Sequence, residues 1–141
     1  MKNAETSTNA ALIVAGGRGS RAGVGMPKQY RPLPAHMGPG HPGQTVLGAS
    51  LQAFIAHPQI GGVQVVIHTD DKELYLNVVN GMETNDKLYE HAYGGAQRQE
   101  SVLAGLEALQ VHSPKQILVH DAARPFVSAA LIDRCLTALG S

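Results

Sequence analysis

The chain has 141 residues, 43% hydrophobic and 16% charged, and its eleven Lys and Arg residues balance eleven Asp and Glu residues. A net charge of zero provides no basic surface for nucleic acid or acidic lipid, so neither a nucleic-acid partner nor a membrane partner is expected. The length fits one domain, residues 1–141, with a core of its own. A single cysteine, Cys135, excludes an internal disulfide and favours a reducing compartment. The N-terminal residues lack an apolar signal core, and no run is apolar enough to cross a bilayer, so we expect a cytoplasmic protein.

The first third of the chain predicts a strand, a loop and a helix. The apolar run 10–15 is short and stops at two glycines, which is typical of a strand buried on both faces. The segment from Pro32 to Gly43 is rich in Pro, Gly and His and predicts a loop. Thr45 can cap a helix that Pro58 ends, and the run 63–67 predicts the second strand. The apolar stripe of this helix contains Val46, Leu47, Leu51, Phe54 and Ile55.

The middle of the chain repeats the strand–helix pattern. Asp70 and Asp71 suit the N-terminus of a second helix, and Gly81 can end it. Residues 87–93 are a weaker third strand, and the spacing over 98–109 predicts a third helix. The positions expected to be buried in these two helices are Leu74, Tyr75, Val78, Val79, Val102, Leu103, Leu106 and Leu109.

A fourth unit completes the pattern. Residues 117–119 predict a short strand, and Ser128 can cap a helix after it. The expected buried positions of that helix are Leu131, Ile132, Cys135, Leu136 and Leu139. Four such units predict an α/β fold with an open, mostly parallel, Rossmann-like sheet and helices on both faces. In such sheets the loops after the strands meet at one edge, where ligands bind.

The loop after the first strand combines glycines with cations. It contains Gly16, Gly17 and Gly19, followed by Arg21 and Lys28. Glycines let the backbone approach a ligand and direct N–H groups at it, as in phosphate-binding nests. Residues 6–69 include no acidic residue, so this part of a neutral chain is cationic. The pattern favours a polyphosphate whose charge grows in a transition state, with a plain Gly-rich turn and solvated cations as the alternative.

Two other nucleotide-binding patterns fit this loop less well. Gly17-x-Gly19-x-x-Ala22 approximates a dinucleotide fingerprint, but the acidic residue required about 20 positions later is missing. The Walker pattern Gly-x-x-x-x-Gly-Lys-Ser/Thr is absent from the sequence. A dinucleotide-dependent redox enzyme therefore stays an alternative, but the acidic residue that would bind the ribose is missing.

The loop after the third strand offers groups that could recognise a base. The backbone at Gly95 and Ala96 could contact a base edge, and Ser101 provides a small donor and acceptor. Arg98 could clamp the loop or a phosphate. The alternative is an ordinary helix start with an exposed arginine.

Asp121 ends the fourth strand beside His120 and before Arg124. Mg²⁺ binds through one or two carboxylates plus substrate phosphates, so a single Asp at this position is a candidate ligand. The alternative is an Asp121–Arg124 pair in a rigid turn.

Three motifs resemble those of the 2-C-methyl-D-erythritol 4-phosphate cytidylyltransferase family, among the nucleotidyltransferases that activate sugar phosphates. They are Ala15-Gly16-Gly17-x-Gly19-x-Arg21 with Pro27-Lys28-Gln29-Tyr30, Gly94-Gly95-x-x-Arg98-x-x-Ser101-Val102-x-x-Gly105-Leu106, and His120-Asp121-Ala122-Ala123-Arg124-Pro125. The motifs occur in family order and span most of the chain. The ribitol-5-phosphate cytidylyltransferase group is the nearest alternative, but Tyr30 and Ala123 favour the erythritol family.

The resemblance implies a nucleotide-diphospho-sugar transferase type of fold and a cytidylyltransferase that uses CTP, 2-C-methyl-D-erythritol 4-phosphate and Mg²⁺ in non-mevalonate isoprenoid biosynthesis. By motif, Arg21 and Lys28 would be catalytic, Asp121 would bind the metal or the substrate, and Arg124 would hold the acceptor or a subunit contact. The residues implied in nucleotide binding are Ala15, Gly16, Gly17, Gly19, Gly95, Ala96, Arg98 and Ser101.

The chain departs from the family in several ways, including a longer loop from Pro32 to Gly43. It has Ala15-Gly16-Gly17 where the family has Ala-Ala-Gly, and Ala96 where some members carry an acidic residue. The family also continues beyond the length of this chain, so we expect the C-terminal half of the catalytic domain to be lacking. A homodimer is expected where that half is present. A noncatalytic nucleotide-binding or assembly module is the alternative from another class.

Overall fold

The computed structural model describes residues 9–16, 27–32, 45–124 and 127–140. Its strands are β1 (Asn9–Ala15), β2 (Gly62–Ile67), β3 (Ala92–Tyr93) and β4 (Gln116–Asp121). Its helices are α1 (Val46–Ala56), α2 (Lys72–Asn80), α3 (Arg98–Leu109) and α4 (Ala129–Gly140). Short 3₁₀ turns lie at Lys28–Tyr30, Thr69–Asp71 and Gln110–His112. No helix within these ranges has the length and apolar character that a membrane crossing requires.

The four strands form one parallel sheet in the order β3-β2-β1-β4. In the register, Ala10–Ala15 of β1 pair with β2, and Asn9–Val14 pair with β4. Since β1 has a neighbour on each side and helices on each face, residues 10–15 are at most 5% exposed. This burial accounts for the uninterrupted apolar run. The predicted open parallel sheet is confirmed.

Helices cover both faces of the sheet, as predicted. Ile13 and Val65 point to one face, where the core also contains side chains from α1, α2 and α4. Leu12 and Val66 point to the other face, which α3 covers. The helix residues buried on the first face are Leu47, Leu51, Phe54, Ile55, Tyr75, Ile132 and Leu136. The second face has a smaller core, closed by Leu109 and packed by Val102.

Helix α1 is fixed at both ends by side chains. At its start, the Thr45 hydroxyl accepts a backbone N–H of the first turn at 2.9 Å, which confirms the predicted cap. At its end, Lys87 Nζ donates to the carbonyls of Ile55 and His57, each at 2.9 Å. Burial lowers the pKa of Lys87, yet the cation remains well placed against the negative end of the helix. His57 also contacts Asp133 of α4, at 2.7 Å between Nε2 and Oδ1.

The third strand is shorter than the predicted 87–93. Apart from an isolated bridge at Leu88, regular pairing with β2 is confined to Ala92–Tyr93. Between these positions the side chain of Gln64 donates to the Glu90 carbonyl at 2.8 Å. A side chain therefore takes the place of a backbone partner, which interrupts the ladder.

The buried side of α3 differs from the prediction. Its buried residues are Ser101, Gly105 and Leu109, which recur every four positions. Leu103 is 56% exposed and Leu106 is 36% exposed, although both were expected in the core. Apolar periodicity predicts that the large apolar side chains are buried. In this helix the small residues face the sheet instead.

Helix α4 also buries fewer residues than predicted. The Ser128 hydroxyl accepts the Leu131 N–H at 3.1 Å, which confirms its cap, and only Ile132 and Leu136 of the expected set are buried. Leu131, Cys135 and Leu139 are exposed and, with the edge of β4, line an apolar cavity of about 360 Å³. They are exposed because β4 is an edge strand within the described sheet, so its outer side has no neighbour there.

Gly105 brings α3 unusually close to the sheet. A Cβ atom at this position would collide with Leu12 Cδ1 and lie 2.9 Å from Val66 Cγ2. Both neighbours are fully buried, so neither can move away freely.

We expect Gly105→Ala to lower the free energy of unfolding by about 1 kcal/mol, and by no more than about 2 kcal/mol. Overpacking a core costs about 1–3 kcal/mol, whereas the gain in helix propensity is about 1 kcal/mol. Urea denaturation followed by circular dichroism measures the change. Gly81→Ala is the matched control, because Gly81 has a φ of −95° and nothing within 4 Å of an added Cβ. Equal stability of the two variants would contradict the close packing.

Candidate functional site

The carboxyl ends of the described strands lie at one edge of the sheet, because all of the strands are parallel. Backbone hydrogen bonds continue one step beyond two of these ends. The Gly94 N–H donates to the Ile67 carbonyl at 2.9 Å, and the Ala122 N–H donates to the Val14 carbonyl at 3.0 Å. The loops that follow β3 and β4 therefore leave the sheet from fixed positions.

Two glycines and one serine meet at this edge. Gly16 follows β1, Gly94 follows β3, and Ser101 lies in the first turns of α3 with 1% of its surface exposed. A Cβ at Gly16 would lie 2.9 Å from Ser101 Oγ, and a Cβ at Gly94 would collide with the same oxygen. The backbone of both loops thus comes directly against the serine hydroxyl, an approach that a larger residue would prevent.

Gly95 and Ala96 lie on the loop between this contact and α3, and both are exposed. The Gln97 N–H at the start of the helix donates to Glu100 Oε1 at 3.1 Å, which anchors the end of the loop. The backbone of Gly95 and Ala96 is therefore exposed to solvent, in a loop whose end is anchored to α3.

The segment that carries Lys28 is tied to the end of β1. Gln29 is 5% exposed, and its Nε2 donates to the Ala15 carbonyl at 3.0 Å. Tyr30 is buried next to it, and the Arg31 carbonyl accepts the Val46 N–H at 3.0 Å, which connects the segment to α1. Lys28 itself is exposed. Lys28 is therefore the sequence neighbour of Gln29, whose side chain is bonded to the last residue of β1.

Asp121 lies at the end of β4 and faces α3. Its Oδ2 is 3.9 Å from Nη1 of Arg98, and both side chains are about half exposed, at 43% and 57%. Its Oδ1 accepts the Ala123 N–H at 3.0 Å, which orients the carboxylate. The contact joins the first turn of α3 to the loop after β4. Within the described residues the ion-pair partner of Asp121 is Arg98, so the Asp121–Arg124 pair considered above is not formed there.

The turn after β4 is closed by several hydrogen bonds. The Arg124 N–H donates to the Asp121 carbonyl at 3.0 Å. The Arg124 carbonyl lies 3.2 Å from Ser50 Oγ and 3.2 Å from Nε2 of His120. Burial lowers the pKa of His120, although the contact with this carbonyl and the charge of Asp121 oppose the shift. The Arg124 side chain is exposed at the end of the turn.

The structure brings several of the predicted site residues together. Gly16 touches Ser101, Arg98 pairs with Asp121, and Lys28 lies beside the anchor to Ala15. Gly17, Gly19 and Arg21 fall outside the described residues.

Three side chains at this edge were not among the predicted site residues. Gln29 and His120 belong to the motifs but received no role, and Ser50 was not singled out. A polar residue within the apolar stripe of α1 is the signal that could have identified Ser50, since a buried hydroxyl requires a partner.

Comparison with known proteins identifies a family whose sequence pattern this chain matches. Residues 9–141 match the family model of IspD, 2-C-methyl-D-erythritol 4-phosphate cytidylyltransferase. The bifunctional enzyme IspD/IspF of Bradyrhizobium sp. strain BTAi1 is 47% identical over 131 residues, which cover 93% of this chain and 30% of that protein. The chain thus spans less than a third of the length of this curated relative.

Two solved structures have a fold similar to that of this chain. The 4-diphosphocytidyl-2C-methyl-D-erythritol synthase from Anaerococcus prevotii has a TM-score of 0.68 and 25% identity, over 98% of this chain and 54% of that one. The 2-C-methyl-D-erythritol 4-phosphate cytidylyltransferase from Francisella tularensis has a TM-score of 0.65 and 27% identity, over 94% and 52%. Taken with the family match over almost all of the chain, these likenesses show that the chain belongs to the IspD family of 2-C-methyl-D-erythritol 4-phosphate cytidylyltransferases.

Proposed function

We propose that the chain is the nucleotide-binding part of an enzyme that transfers CMP from CTP to 2-C-methyl-D-erythritol 4-phosphate in non-mevalonate isoprenoid biosynthesis. Membership in the IspD family supports this reaction. The observation that carries it is the contact of Arg98 with Asp121, 3.9 Å apart, beside the contact of Gly16 with Ser101. These contacts gather residues from all three sequence motifs at one edge of the sheet, where such folds bind their ligands.

The base of CTP would lie against the loop between β3 and α3. Gly95 and Ala96 are exposed there, so their backbone groups are accessible to a pyrimidine edge. Gly16 and Gly94 allow the backbone to come within van der Waals contact of Ser101, which fixes the floor of the site. In this proposal Ala15, Gly17 and Gly19 wrap the rest of the nucleotide, and Arg98 supports the loop.

The triphosphate would be bound by cations near the end of β1. Lys28 is exposed and lies next to Gln29, which is bonded to the Ala15 carbonyl. A cation held there can stabilise negative charge that develops on the α-phosphate. Arg21 is assigned the same role through the family motif. Arg124, exposed at the end of the β4 turn, would hold the acceptor phosphate.

Asp121 fits a shared Mg²⁺ site. No group of three His, Cys, Asp or Glu side chains that could hold a metal occurs in the part of the chain that the structure describes. Mg²⁺ does not require one, because one or two carboxylates suffice when phosphates supply other ligands. The Ala123 N–H orients the Asp121 carboxylate through Oδ1, and Oδ2 lies 3.9 Å from Nη1 of Arg98. When bound, Mg²⁺ would neutralise phosphate charge and align the reacting groups.

The chemical step follows from these placements. A phosphate oxygen of the acceptor forms a bond to the α-phosphorus of CTP. The bond from the α-phosphorus to the oxygen bridging to the β-phosphate breaks, and its electron pair leaves with pyrophosphate. The product is the cytidine diphosphate derivative of the acceptor. Lys28 and Arg21 act by stabilising the charge of the five-coordinate phosphorus rather than by moving a proton.

The proposal includes a cytoplasmic location and a homodimer in the presence of the family's remaining C-terminal half. A single cysteine, with no possible internal disulfide, supports a reducing compartment. The exposed apolar residues Val119, Leu131 and Leu139 support burial of the β4 side of the domain in a larger assembly.

The proposed reaction is tested by incubating the protein with CTP, 2-C-methyl-D-erythritol 4-phosphate and Mg²⁺ and measuring pyrophosphate release. We expect release with CTP and much less with ATP, GTP or UTP. Ribitol 5-phosphate as acceptor tests the related cytidylyltransferase group. Binding of CTP without turnover, and without rescue when the family's C-terminal half is added, would indicate the noncatalytic nucleotide-binding module. No binding at millimolar CTP would contradict the nucleotide site itself.

Lys28→Ala is expected to lower kcat by about 100-fold to 1,000-fold, as the loss of a preorganised charge does. The fold should be unaffected, because the side chain is exposed. Steady-state kinetics and thermal unfolding measure the two effects. Lys115→Ala is the control, since Lys115 is an exposed cation just before β4, at the opposite edge of the sheet. Equal turnover of the two variants would remove Lys28 from the mechanism.

A further inference from the structure

Ser50 is a polar residue in the apolar stripe of α1. Its relative exposure is 0%, and its nearest buried helix neighbours are Leu47, Leu51 and Phe54. A buried hydroxyl without a partner destabilises a protein by about 1–3 kcal/mol, so a serine here requires hydrogen bonds. These bonds are made to a segment 70 or more residues away in the sequence.

Three polar atoms form a triangle whose sides are each 3.2 Å, with the Arg124 carbonyl oxygen as the acceptor. Ser50 Oγ donates to the Arg124 carbonyl oxygen at 3.2 Å, and Nε2 of His120 lies 3.2 Å from the same oxygen. The third side, from Ser50 Oγ to Nε2 of His120, is also 3.2 Å. Because a carbonyl oxygen can only accept, Nε2 of His120 carries a hydrogen and donates it. The His120 ring also packs against Phe54, with ring centroids 5.5 Å apart.

His120 and Asp121 are consecutive residues of β4, so their side chains point to opposite faces of the sheet. His120 reaches α1 on one face, whereas Asp121 reaches Arg98 of α3 on the other. The strand end is therefore held from both sides. The turn that begins at Asp121 and ends at Arg124 is closed by its own backbone bond of 3.0 Å and is fastened to α1 through the Arg124 carbonyl.

We infer that Ser50 and His120 are positioning residues for the proposed cytidylyltransferase reaction. They hold the Arg124 carbonyl and so fix the turn whose side chains, Asp121 and Arg124, face the metal and the acceptor. Neither Ser50 nor His120 contacts substrate in this assignment. The inference depends on the proposed function for its effect on turnover, but the hold on the turn is a property of the fold alone.

Three variants test the inference. His120→Leu and Ser50→Ala each remove one donor to the Arg124 carbonyl. His120→Gln keeps a side-chain N–H of similar reach and serves as the rescue variant. His57→Leu is the control, because His57 is a buried histidine at the C-terminal end of α1 that bonds to Asp133 of α4 rather than to the Arg124 carbonyl.

The first readout is amide hydrogen exchange of Ala123 and Arg124. We expect exchange about tenfold faster in His120→Leu and Ser50→Ala than in the parent protein, since the turn loses a fastening point and opens locally. His120→Gln should keep the parent rate. His57→Leu should lower the unfolding midpoint without selectively increasing exchange in the turn.

The second readout is steady-state kinetics with CTP, 2-C-methyl-D-erythritol 4-phosphate and Mg²⁺. We expect kcat to fall about tenfold or more in His120→Leu, and KM for the acceptor to rise, because displaced groups no longer align the reacting atoms. KM for CTP should change less than KM for the acceptor, because the base loop follows β3 and not β4. His120→Gln should recover most of the loss, and His57→Leu should retain parent kinetics.

Parent rates of exchange in His120→Leu and Ser50→Ala would overturn the inference, as would parent kinetics in both variants. Loss of turnover in His57→Leu equal to that in His120→Leu would also overturn it, because the effect would then reflect stability alone. If the parent protein releases no pyrophosphate from CTP, the proposed function fails. The exchange measurement then still decides whether Ser50 and His120 hold the turn.

Discussion

The structure depends on the burial of residues 10–15 of β1. Its residues 10–15 are at most 5% exposed, since β2 and β4 flank it and helices cover both faces. An apolar strand of this kind is stable only in the interior of a sheet, which forces the other elements to be arranged around it. Several segments of the site are attached at or next to the end of this strand, Ala15. Gln29 bonds to that residue, Gly16 follows it, and the Val14 carbonyl accepts the N–H of Ala122 after β4.

The second determinant is the short distance between α3 and the sheet. Small residues on one side of the helix, Ser101 and Gly105, remove the side chains that would hold it away. This proximity brings Arg98 within 3.9 Å of Asp121 and puts Ser101 against Gly16. The same residues that reduce the apolar area of α3 therefore assemble the site. Helix α3 therefore buries less apolar surface, but it lies close to the strand ends.

The sequence predicted the order of elements well because local signals specify them. The run 10–15, the Thr45 cap and the helix over 98–109 each depend on neighbouring residues, and all three are confirmed. The shortened third strand was missed because its ladder is interrupted by the side chain of Gln64, an event that periodicity does not report. The exposed leucines of α3 were misjudged for the same reason, since packing of a glycine against Leu12 is a tertiary contact.

For the site, residue type and the loops after the strands suggested Gly16, Ser101, Arg98 and Asp121, and the structure brings these four residues to one edge of the sheet. The sequence did not reveal which groups pair. Arg124 was the sequence neighbour considered for Asp121, whereas the observed partner is Arg98, 23 positions earlier and on another element. Likewise, the contact of Ser50 with His120 joins residues 70 apart and has no local signature. Specific pairings of this kind require the fold before they can be derived.

The open side of β4 has a consequence for handling the protein. Val119 is 44% exposed, and the described sheet has no neighbour beyond this strand. Unpaired N–H and C=O groups along such an edge can accept an additional strand from another polypeptide. At high concentration, this chain therefore carries a risk of edge-to-edge association and precipitation, and dilute conditions during purification would reduce it.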